Sequence, residues 1–318
     1  MDFIADKKKA ILICGAGGMF GSACLREFNE AGYTNVLSPS HRELDYTNQL
    51  QVVDYFEQKS PAYVILAAAR VGGIKSNIEA PYEFLAENLS IQNNVIQAAL
   101  NNKVEKLVFL GSSCIYPKEA PQPMREEYLM TGPLEPTNEG YALAKIAGLR
   151  AVEYIANEYG LPWISLMPPN LYGKNDHFDL NKSHVMSALI KKFIDADAAN
   201  QEAVEVWGTG KARREFMNVA DAAAAVRYFF ENYNEPDFLN IGVGDDVSIL
   251  ELATMIKNEV GYRGDIDWDT TKPDGMMRKC LDVSRMKKLG FEPKVELTEG
   301  IKQMILAYRE HSAGEVVL

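Results

Sequence analysis

The 318-residue sequence predicts an α/β protein built on a doubly wound parallel sheet, with a smaller C-terminal α/β lobe. Three observations predict this class. Short apolar runs alternate with amphipathic helical stretches over the first half of the chain, a glycine-rich turn follows the first run, and the alternation weakens after about residue 171. Because strand–helix–strand units connect parallel strands, the strand ends should meet at one edge, where ligands of such sheets bind.

The strands and helices of the first part of the chain follow from these patterns in order. Buried apolar runs predict strands at 9–14, 35–38, 62–68, 106–110 and 162–167. Apolar residues at helical spacing predict helices at 22–31, 47–59, 82–100 and 140–159, and Pro81 stands where the third helix would begin. The chain therefore opens with a strand, a glycine-rich turn and a helix.

The second part of the chain has loops rich in Asn, Asp and Gly between short helices. Ser248 followed by Glu251 predicts a capping box at the start of one of these helices. We predict a first domain over residues 1–170, to which a segment of about 212–245 returns, and a second lobe formed mainly by 171–318. A cleft between the two is the expected binding site.

Composition and charge narrow the kinds of partner. The formal net charge of −11 argues against non-specific binding of nucleic acid, and no run of about 18 apolar residues exists that would span a membrane. The four cysteines, Cys14, Cys24, Cys114 and Cys280, are far apart with no Cys-x-x-Cys pair, which predicts neither a zinc site nor a disulfide framework. Because the N-terminus does not resemble a secretory signal, we expect a cytoplasmic protein with reduced thiols and no metal.

The glycine-rich turn predicts a dinucleotide site in the first domain. Gly15, Gly18 and Gly21 form Gly-x-x-Gly-x-x-Gly between the first strand and the first helix. Gly15 would permit the tight turn, Gly18 would let the backbone approach a pyrophosphate, and Gly21 would let the helix pack closely on the sheet. An ordinary flexible turn is the alternative, but the position of the motif favours a Rossmann-type dinucleotide-binding domain.

The end of the second strand bears on which dinucleotide binds. An acidic residue there would bind the ribose 2′-hydroxyl of NAD, but the sequence has His41 and Arg42 and no acid before Glu43. Arg42, with His41 beside it, can instead meet a 2′-phosphate. The sequence therefore favours NADP(H), and the other interpretation is that Arg42 is simply exposed to solvent.

A serine, a tyrosine and a lysine form a candidate catalytic set. Ser112 follows the fourth strand, and Tyr141 and Lys145 stand four residues apart on one face of the helix predicted at 140–159. The lysine ammonium would lower the pKa of the tyrosine hydroxyl, which would then exchange a proton with a substrate alcohol or ketone. Tyr-x-x-x-Lys alone occurs often by chance, but together with the glycine turn and the serine it resembles the extended short-chain dehydrogenases/reductases.

Longer stretches of sequence point to one family within these dehydrogenases/reductases. The sequence resembles the GDP-L-fucose synthase family over nearly its whole length, in the stretches 111–117 (GSSCIYP), 134–148 (LEPTNEGYALAKIAG), 167–173 (MPPNLYG), 183–185 (SHV), 206–219 (VWGTGKARREFMNV) and 272–279 (KPDGMMRK). The resemblance implies that the chain uses NADPH, epimerises GDP-4-keto-6-deoxy-D-mannose at carbons 3 and 5, and reduces carbon 4.

The resemblance also implies an acid–base pair for the epimerisation. Hydrogens at carbons 3 and 5 are acidic because carbon 4 is a ketone, and inversion needs a base on one face and an acid on the other. By resemblance, Cys114 and His184 supply these groups, and a thiol and an imidazole are reasonably matched to neutral pH. The alternatives are a buried structural cysteine and a satisfied structural histidine.

The motifs and the resemblance together define the expected site. The catalytic residues are Ser112, Cys114, Tyr141, Lys145 and His184. The cofactor-binding residues are Gly15, Gly17, Gly18, Met19, Phe20, Gly21, His41, Arg42, Ala67, Lys145, Pro168, Asn170, Leu171 and His184. The substrate-binding residues, expected mainly in the second lobe, are Ser113, Lys192, Trp207, Arg214, Lys272 and Asp274. Arg214 suits the pyrophosphate of a nucleotide sugar, whereas Trp207 in a core and Lys192 in solvent are the plain alternatives.

Departures from the family pattern keep a second substrate open. Gly17 and His41 stand where family members often have arginine, which leaves Arg42 as the main residue for a 2′-phosphate, and Pro169 and Ala220 replace a usual threonine and aspartate. A carbon-4 reductase of a related GDP-4-keto sugar, such as a GDP-heptose, with little or no epimerisation, is therefore the alternative. A non-catalytic dinucleotide-binding regulator is a third hypothesis, against which the intact serine, tyrosine and lysine argue.

The expected partners are a GDP-linked 4-keto sugar and a second copy of the chain. Family analogy implies a homodimer formed through the helices around 82–100 and 140–159. Neither nucleic acid nor a membrane is expected to bind.

Overall fold

The structure is a computed structural model that describes residues 3–179, 183–272 and 274–315, with only the backbone described for 311–315. The strands are, in chain order, β1 (Ile11–Cys14), β2 (Val36–Leu37), β3 (Tyr63–Leu66), β4 (Lys106–Leu110), β5 (Ile164–Met167), β6 (Asn170–Tyr172), β7 (Ala203–Trp207), β8 (Arg213–Arg214), β9 (Phe216–Asn218), β10 (Leu239–Asn240), β11 (Val247–Ser248), β12 (Asp265–Asp269) and β13 (Arg278–Lys279).

The α-helices are, in chain order, α1 (Met19–Glu30), α2 (Gln49–Lys59), α3 (Ile74–Glu79), α4 (Pro81–Asn101), α5 (Glu139–Tyr159), α6 (Val185–Ala198), α7 (Val219–Asn232), α8 (Ile249–Val260), α9 (Ser284–Lys288) and α10 (Leu297–Glu315). Within the described residues, none of these helices is both long enough and apolar enough to cross a membrane.

One parallel sheet organises the first part of the chain. Among the described residues its six strands lie in the order β10-β5-β4-β3-β1-β2, and every neighbouring pair is parallel. The chain moves outward from β1 to β2 and then returns to the other side of β1 as β3, so the strand order reverses between β1 and β3. The predicted Rossmann-type doubly wound sheet is confirmed, and the reversal marks the crevice where ligands of such sheets bind.

Burial on both faces explains the strand sequences. β1 (ILIC), β3 (YVIL) and β4 (KLVFL) are buried at every residue, as expected when helices cover both faces of a parallel sheet. Burying one aliphatic side chain stabilises the fold by roughly 1.5–3 kcal/mol, so runs of this kind belong in the sheet centre. Lys106 opens β4, and burial lowers its pKa to about 7 while its Nζ donates to Tyr233 O and Asn234 Oδ1.

The helices cover the sheet in two layers. α4 packs along α5, and α1 packs along α7, where Arg227 Nε lies 2.6 Å from Glu27 Oε1. α4 begins at Pro81, where the sequence predicts the start of a helix. α7 and β10 come from the second part of the chain. Even so, α7 packs on α1, and β10 pairs with β5 of the first part.

A second core lies under α6, α8 and α10. It is built from apolar side chains of these helices and of β7, with Leu252, Ile256, Ile301 and Ile305 among its buried members. The capping box that starts α8 is confirmed, because Ser248 Oγ accepts a hydrogen bond from the backbone N–H of the glutamate three residues on, and that carboxylate accepts one from Ser248 N.

Two local features differ from the sequence prediction. The short helix α3 was not predicted, because a helix of six residues is too short to show a repeated apolar period. Asn170 and Leu171, expected in a loop after the fifth strand, instead form β6, which pairs with β9. Strands of two or three residues depend on partners far along the chain, so local pattern does not reveal them.

Candidate active site

The glycine turn has the close packing that its motif requires. Gly15, after β1, has φ +81°, and a Cβ there would lie 2.8 Å from the backbone of Ala68 after β3. A Cβ on Gly21 would lie 2.0 Å from Gly15 O, so no side chain fits at either position. The turn therefore sits in the crevice between β1 and β3, with the backbone of Ala67 beside it through a 3.2 Å hydrogen bond to Cys14 O.

This turn fits the pyrophosphate of a nicotinamide dinucleotide. Gly18 is the N-cap of α1 and provides no side-chain cap, and Met19 and Phe20 open the helix with no acidic residue in its first turn. A Cβ on Gly17 would meet nothing within 4 Å. The start of α1 thus presents backbone N–H groups and the positive end of a helix dipole toward open space, as an anion requires.

His41 and Arg42 lie exposed after β2. The nearby carboxylate of Glu43 turns back to Ser40, whose backbone N–H and hydroxyl both donate to it and hold its pKa below its usual range. Within the described part of the chain, Arg42 forms no ion pair. Its guanidinium is therefore available to an anionic group at this end of the dinucleotide crevice.

Ser112, Tyr141 and Lys145 come together at the ends of β4 and α5. Lys145 is buried, and its Nζ donates to Leu110 O at 2.8 Å and lies 5.8 Å from the centroid of the Tyr141 ring. Tyr141 also contacts Ser112 through its hydroxyl and packs edge-on against Phe84. The three side chains that the sequence singles out thus share one pocket.

The acidity of Tyr141 differs from the sequence expectation. Burial raises the pKa of Tyr141, the nearby Cys114 thiolate raises it further, and the Ser112 hydrogen bond lowers it only in part. Burial also lowers the pKa of Lys145 to about 8. The expectation that Lys145 lowers the pKa of Tyr141 is wrong for this structure, because the ammonium is bonded to a backbone carbonyl and desolvation outweighs it.

Cys114 lies in the same pocket with polar atoms around its sulfur. Lys279 Nζ lies 3.1 Å and Asn138 Nδ2 lies 3.2 Å from Cys114 Sγ, and its backbone N–H donates to Ser112 Oγ at 3.2 Å. Burial alone would raise the pKa of Cys114, but Lys279, Ser112 and Arg214 together bring it below its usual value. Cys114 is therefore a half-buried thiol with a cation and polar groups around its sulfur, whereas Cys14, Cys24 and Cys280 are buried.

Among the residues that the structure describes, no hydrogen bond joins His184 to Cys114. His184 is the N-cap of α6 and partly exposed, and it follows residues 180–182, which lie outside the described residues. The neighbouring Ser183 O would lie 3.3 Å from a Cβ on Gly73, which places this segment beside the loop after β3. No contact among the described residues tests the predicted pairing of the imidazole with the sugar.

Residues after β5 connect the two lobes. Pro168 O accepts a 3.0 Å hydrogen bond from Ser113 N, and the buried Ser113 therefore lies against this segment. Asn170 Nδ2 donates to Glu215 O at 3.0 Å, and Leu171 is partly buried beside it in β6. These contacts join the segment after β5 to the loop after β4 and to the strands β8 and β9.

Most of the predicted substrate residues gather at one rim of the second lobe. Trp207 is 50% exposed, which rules out a core position, and Lys272 Nζ lies 5.3 Å from the centre of its ring system. Asp274 accepts hydrogen bonds from Thr209 N and Oγ1, and Arg214 donates to Asp274 O at 3.0 Å.

Lys192 belongs to the same lobe through a different contact. Its Nζ donates to Glu205 O at 2.8 Å in β7, and burial lowers its pKa. It is therefore held by the backbone rather than freely solvated.

Sequence reasoning missed two residues of the site. Lys279 lies in the stretch that resembles a known family, and Asn138 precedes α5, but neither has a spacing that points to Cys114. The sulfur and Lys279 are 165 residues apart, so only the fold reveals the contact.

Residues 11–242 match the NAD dependent epimerase/dehydratase family. A relative described as probable GDP-L-fucose synthase 1, from Oryza sativa subsp. japonica, is 48% identical over 310 residues, which are 97% of this chain and 94% of that protein. The match extends over both lobes and not only over the dinucleotide crevice.

Solved structures share the fold over the same extent. A GDP-6-OMe-4-keto-L-xylo-heptose reductase from C. jejuni has a TM-score of 0.93 at 35% identity, covering 97% of this chain and 100% of that one. A GDP-L-fucose synthetase from Naegleria fowleri bound to NADP has a TM-score of 0.89 at 26% identity, covering 98% and 96%. The chain belongs to the NAD dependent epimerase/dehydratase family, and within it to the GDP-L-fucose synthases of the extended short-chain dehydrogenases/reductases.

Proposed function

We propose that this chain is an NADP(H)-dependent enzyme that epimerises a GDP-linked 4-keto-6-deoxy sugar at carbons 3 and 5 and reduces its carbon 4. The observation that carries the proposal is the placement of Cys114. Its thiol, with Lys279 3.1 Å away, lies in the pocket that holds Ser112 and Tyr141, so groups for two kinds of chemistry share one site. Cys114 would serve the epimerisation, and Ser112 and Tyr141 would serve the reduction. A reductase that does not epimerise would need only Ser112 and Tyr141.

The chain's own groups divide the work. The Cys114 thiolate takes a proton from a carbon next to the ketone, and a second group, for which His184 is the candidate, gives a proton to the opposite face. Ser112 holds the carbon-4 oxygen, and Tyr141, whose raised pKa keeps its proton in place, donates that proton to it. Bound NADPH supplies the hydride for carbon 4.

The crevice and the rim supply the binding groups. Residues 1–170 together with about 212–245 would hold the dinucleotide, with Lys145 also meeting the nicotinamide ribose and Arg42 the 2′-phosphate. Residues 171–318 would supply most of the contacts to the GDP-sugar. There Arg214 suits the pyrophosphate, and the exposed ring of Trp207 with Lys272 above it offers a surface on which a base can stack.

A second candidate is a carbon-4 reductase of a GDP-heptose with little or no epimerisation. The observation in its favour is the TM-score of 0.93 with the C. jejuni GDP-heptose reductase. The Pro169 and Ala220 departures lie near the expected sugar position and point the same way. The higher identity to proteins described as GDP-L-fucose synthases favours the deoxy sugar.

The test is NADPH oxidation with a panel of GDP-4-keto sugars, with Tyr141→Phe as the background control. We expect the highest kcat/KM with GDP-4-keto-6-deoxy-D-mannose and a product whose carbons 3 and 5 are inverted by NMR. A kcat/KM at least tenfold higher for a GDP-4-keto heptose would favour the reductase. No turnover with any sugar would favour a regulatory protein.

A further inference from the structure

Lys279 contacts the sulfur of Cys114 directly. Its Nζ lies 3.1 Å from Cys114 Sγ, within the range of a charge-assisted hydrogen bond to sulfur. Asn138 Nδ2 adds a second donor to the sulfur at 3.2 Å. Two donors pointing at one sulfur favour a negative charge on that sulfur.

The register of two short strands explains why Lys279 points there. β13 runs parallel to β8, with Arg278 beside Arg213 and Lys279 beside Arg214. Because successive side chains of a strand point to opposite faces, the pair Arg213 and Arg278 shares one face, and the pair Arg214 and Lys279 shares the other. The second face is the one that meets Cys114.

A buried carboxylate links the two strands on the face opposite Arg214 and Lys279. Asp246 is buried, and both Arg213 and Arg278 form ion pairs with it, the latter at 2.6 Å. Arg213 Nη2 also donates to Asp246 O at 2.7 Å. Asp246 therefore links β8 and β13 through the two arginines on the face opposite Lys279.

We propose that Lys279 is a positioning residue that keeps Cys114 ionised as a thiolate in the free enzyme, and that Asp246 sets Lys279 in place for this purpose. The catalytic consequence rests on the proposed function, in which Cys114 is a base for carbons 3 and 5. The ionisation itself requires only the contacts in the protein. Removing the ammonium would leave a half-buried thiol, whose desolvation favours the neutral form.

A competing role for Lys279 is the binding of the substrate pyrophosphate, since Arg214 lies on the same face. The two roles differ in the free enzyme. A lysine that serves only phosphate would leave the Cys114 thiol unchanged without substrate and would raise KM when removed. A lysine that holds the thiolate changes the reactivity of Cys114 without any sugar.

The experiment measures alkylation of the folded, sugar-free protein by iodoacetamide from about pH 5 to about pH 9. Cys14, Cys24 and Cys280 are buried and burial raises the pKa of each, so the fast reaction reports Cys114. Cys114→Ser gives the background rate. Thiolate absorbance near 240 nm, read against this variant, provides a second, probe-free measurement.

We expect Lys279→Met to lower the alkylation rate at neutral pH at least about tenfold and to move the pH midpoint upward, because one pKa unit changes the thiolate fraction tenfold. Lys279→Arg should retain most of the rate, since it keeps a cation. Asp246→Asn should give a smaller loss in the same direction. Lys287→Met, which removes an exposed lysine of α9, is the matched control and should behave as the wild type.

Circular dichroism and NADPH binding establish that each variant is folded. A wild-type pH profile for folded Lys279→Met, with only KM raised in turnover, would overturn the proposal in favour of phosphate binding. A lost thiolate in Lys279→Met together with no sugar chemistry in the wild type would support this proposal and refute the proposed function. The two failures are therefore distinguishable.

Discussion

At Tyr141, burial and hydrogen bonding act on one hydroxyl in opposite directions. Burial raises its pKa, and the contact with Ser112 offsets this only in part. The ammonium of Lys145 donates a hydrogen bond to Leu110 O rather than to the Tyr141 hydroxyl. The phenol therefore keeps its proton at neutral pH, which suits a group that donates a proton to the carbon-4 oxygen.

We expect Tyr141→Phe to lower the reduction rate at least about 100-fold, because the variant loses only the general acid. NADPH binding, followed by fluorescence quenching, should change little, since the glycine turn and Lys145 are unaltered. A variant that keeps more than about a tenth of wild-type turnover would place the proton donor elsewhere.

Arg42 is expected to read the 2′-phosphate of NADP(H). Arg42→Ala should raise the Kd for NADPH roughly tenfold or more and leave the Kd for NADH nearly unchanged, because an arginine–phosphate contact is charge-assisted and commonly bidentate. Arg263→Ala, at an exposed arginine after α8, is the matched control. Equal losses of affinity for both dinucleotides would show that Arg42 does not discriminate between them.

Single residues could be predicted from sequence where their partner is close along the chain. Tyr141 and Lys145 are four apart on a helix, and Gly15 and Gly21 flank one turn, so their geometry follows from local structure. Lys279 could not be predicted as a neighbour of Cys114, because only the tertiary fold brings β13 to the loop after β4, 165 residues earlier in the chain. The predicted direction of the Tyr141 pKa shift was also wrong, because desolvation depends on the packing of all the side chains around the hydroxyl.

At the scale of elements, one carboxylate ties several strands together. Glu215, between β8 and β9, is buried, and its Oε1 accepts hydrogen bonds from Val243 N at 2.7 Å and Gly244 N at 2.8 Å. Its Oε2 accepts one from Leu281 N at 2.7 Å. Burial raises the pKa of Glu215 to about 7, although these N–H groups act to lower it.

This shift predicts a pH dependence of stability. A carboxyl group whose pKa rises from 4.5 to about 7 on folding stabilises the native state below pH 4.5, and that contribution is lost as the pH rises through about 7. The free energy of unfolding of the wild type relative to Glu215→Gln should therefore fall by roughly 1–3 kcal/mol across this range, measured by urea titration. A difference that stays constant with pH would contradict the assignment.

Elements with strong local signals were the predictable ones. The predicted strand at 106–110 coincides with β4, and the helices at 47–59 and 82–100 match α2 and α4 within two residues. The small sheets of the second lobe escaped prediction, because β8, β11 and β13 have two residues each and exist through pairing with one another. Those are the strands that carry Arg214 and Lys279 to the site.

At the scale of the whole molecule, the outer faces of α4 and α5 carry exposed apolar side chains. Tyr82 is 75% and Tyr154 is 59% exposed, and Leu143 and Tyr159 also face outward. Exposed apolar side chains on these two adjacent helices favour an interface with a second copy. The expected homodimer would bury about 1,600 Å² in total if it is of ordinary size.

Sedimentation velocity tests this expectation. The wild type should sediment as a dimer, and Tyr154→Glu should shift it to a monomer, because a charge would be buried in an apolar interface. Leu306→Glu, at an exposed apolar residue of α10, is the control and should leave the dimer intact. A monomeric wild type, or a dimer that withstands Tyr154→Glu, would place the contact elsewhere or remove it.

The central claim is that one site both epimerises and reduces. Epimerisation exchanges the hydrogens on carbons 3 and 5 with solvent, because each is removed and then replaced, whereas reduction at carbon 4 exchanges neither. In D₂O the wild type should place deuterium at both carbons of the product, detected by NMR and mass spectrometry. Cys114→Ser should suppress the label while still binding NADPH, since a hydroxyl is a far weaker base than a thiolate. A wild-type product of the true substrate without deuterium at these carbons would contradict the epimerase and leave a plain carbon-4 reductase.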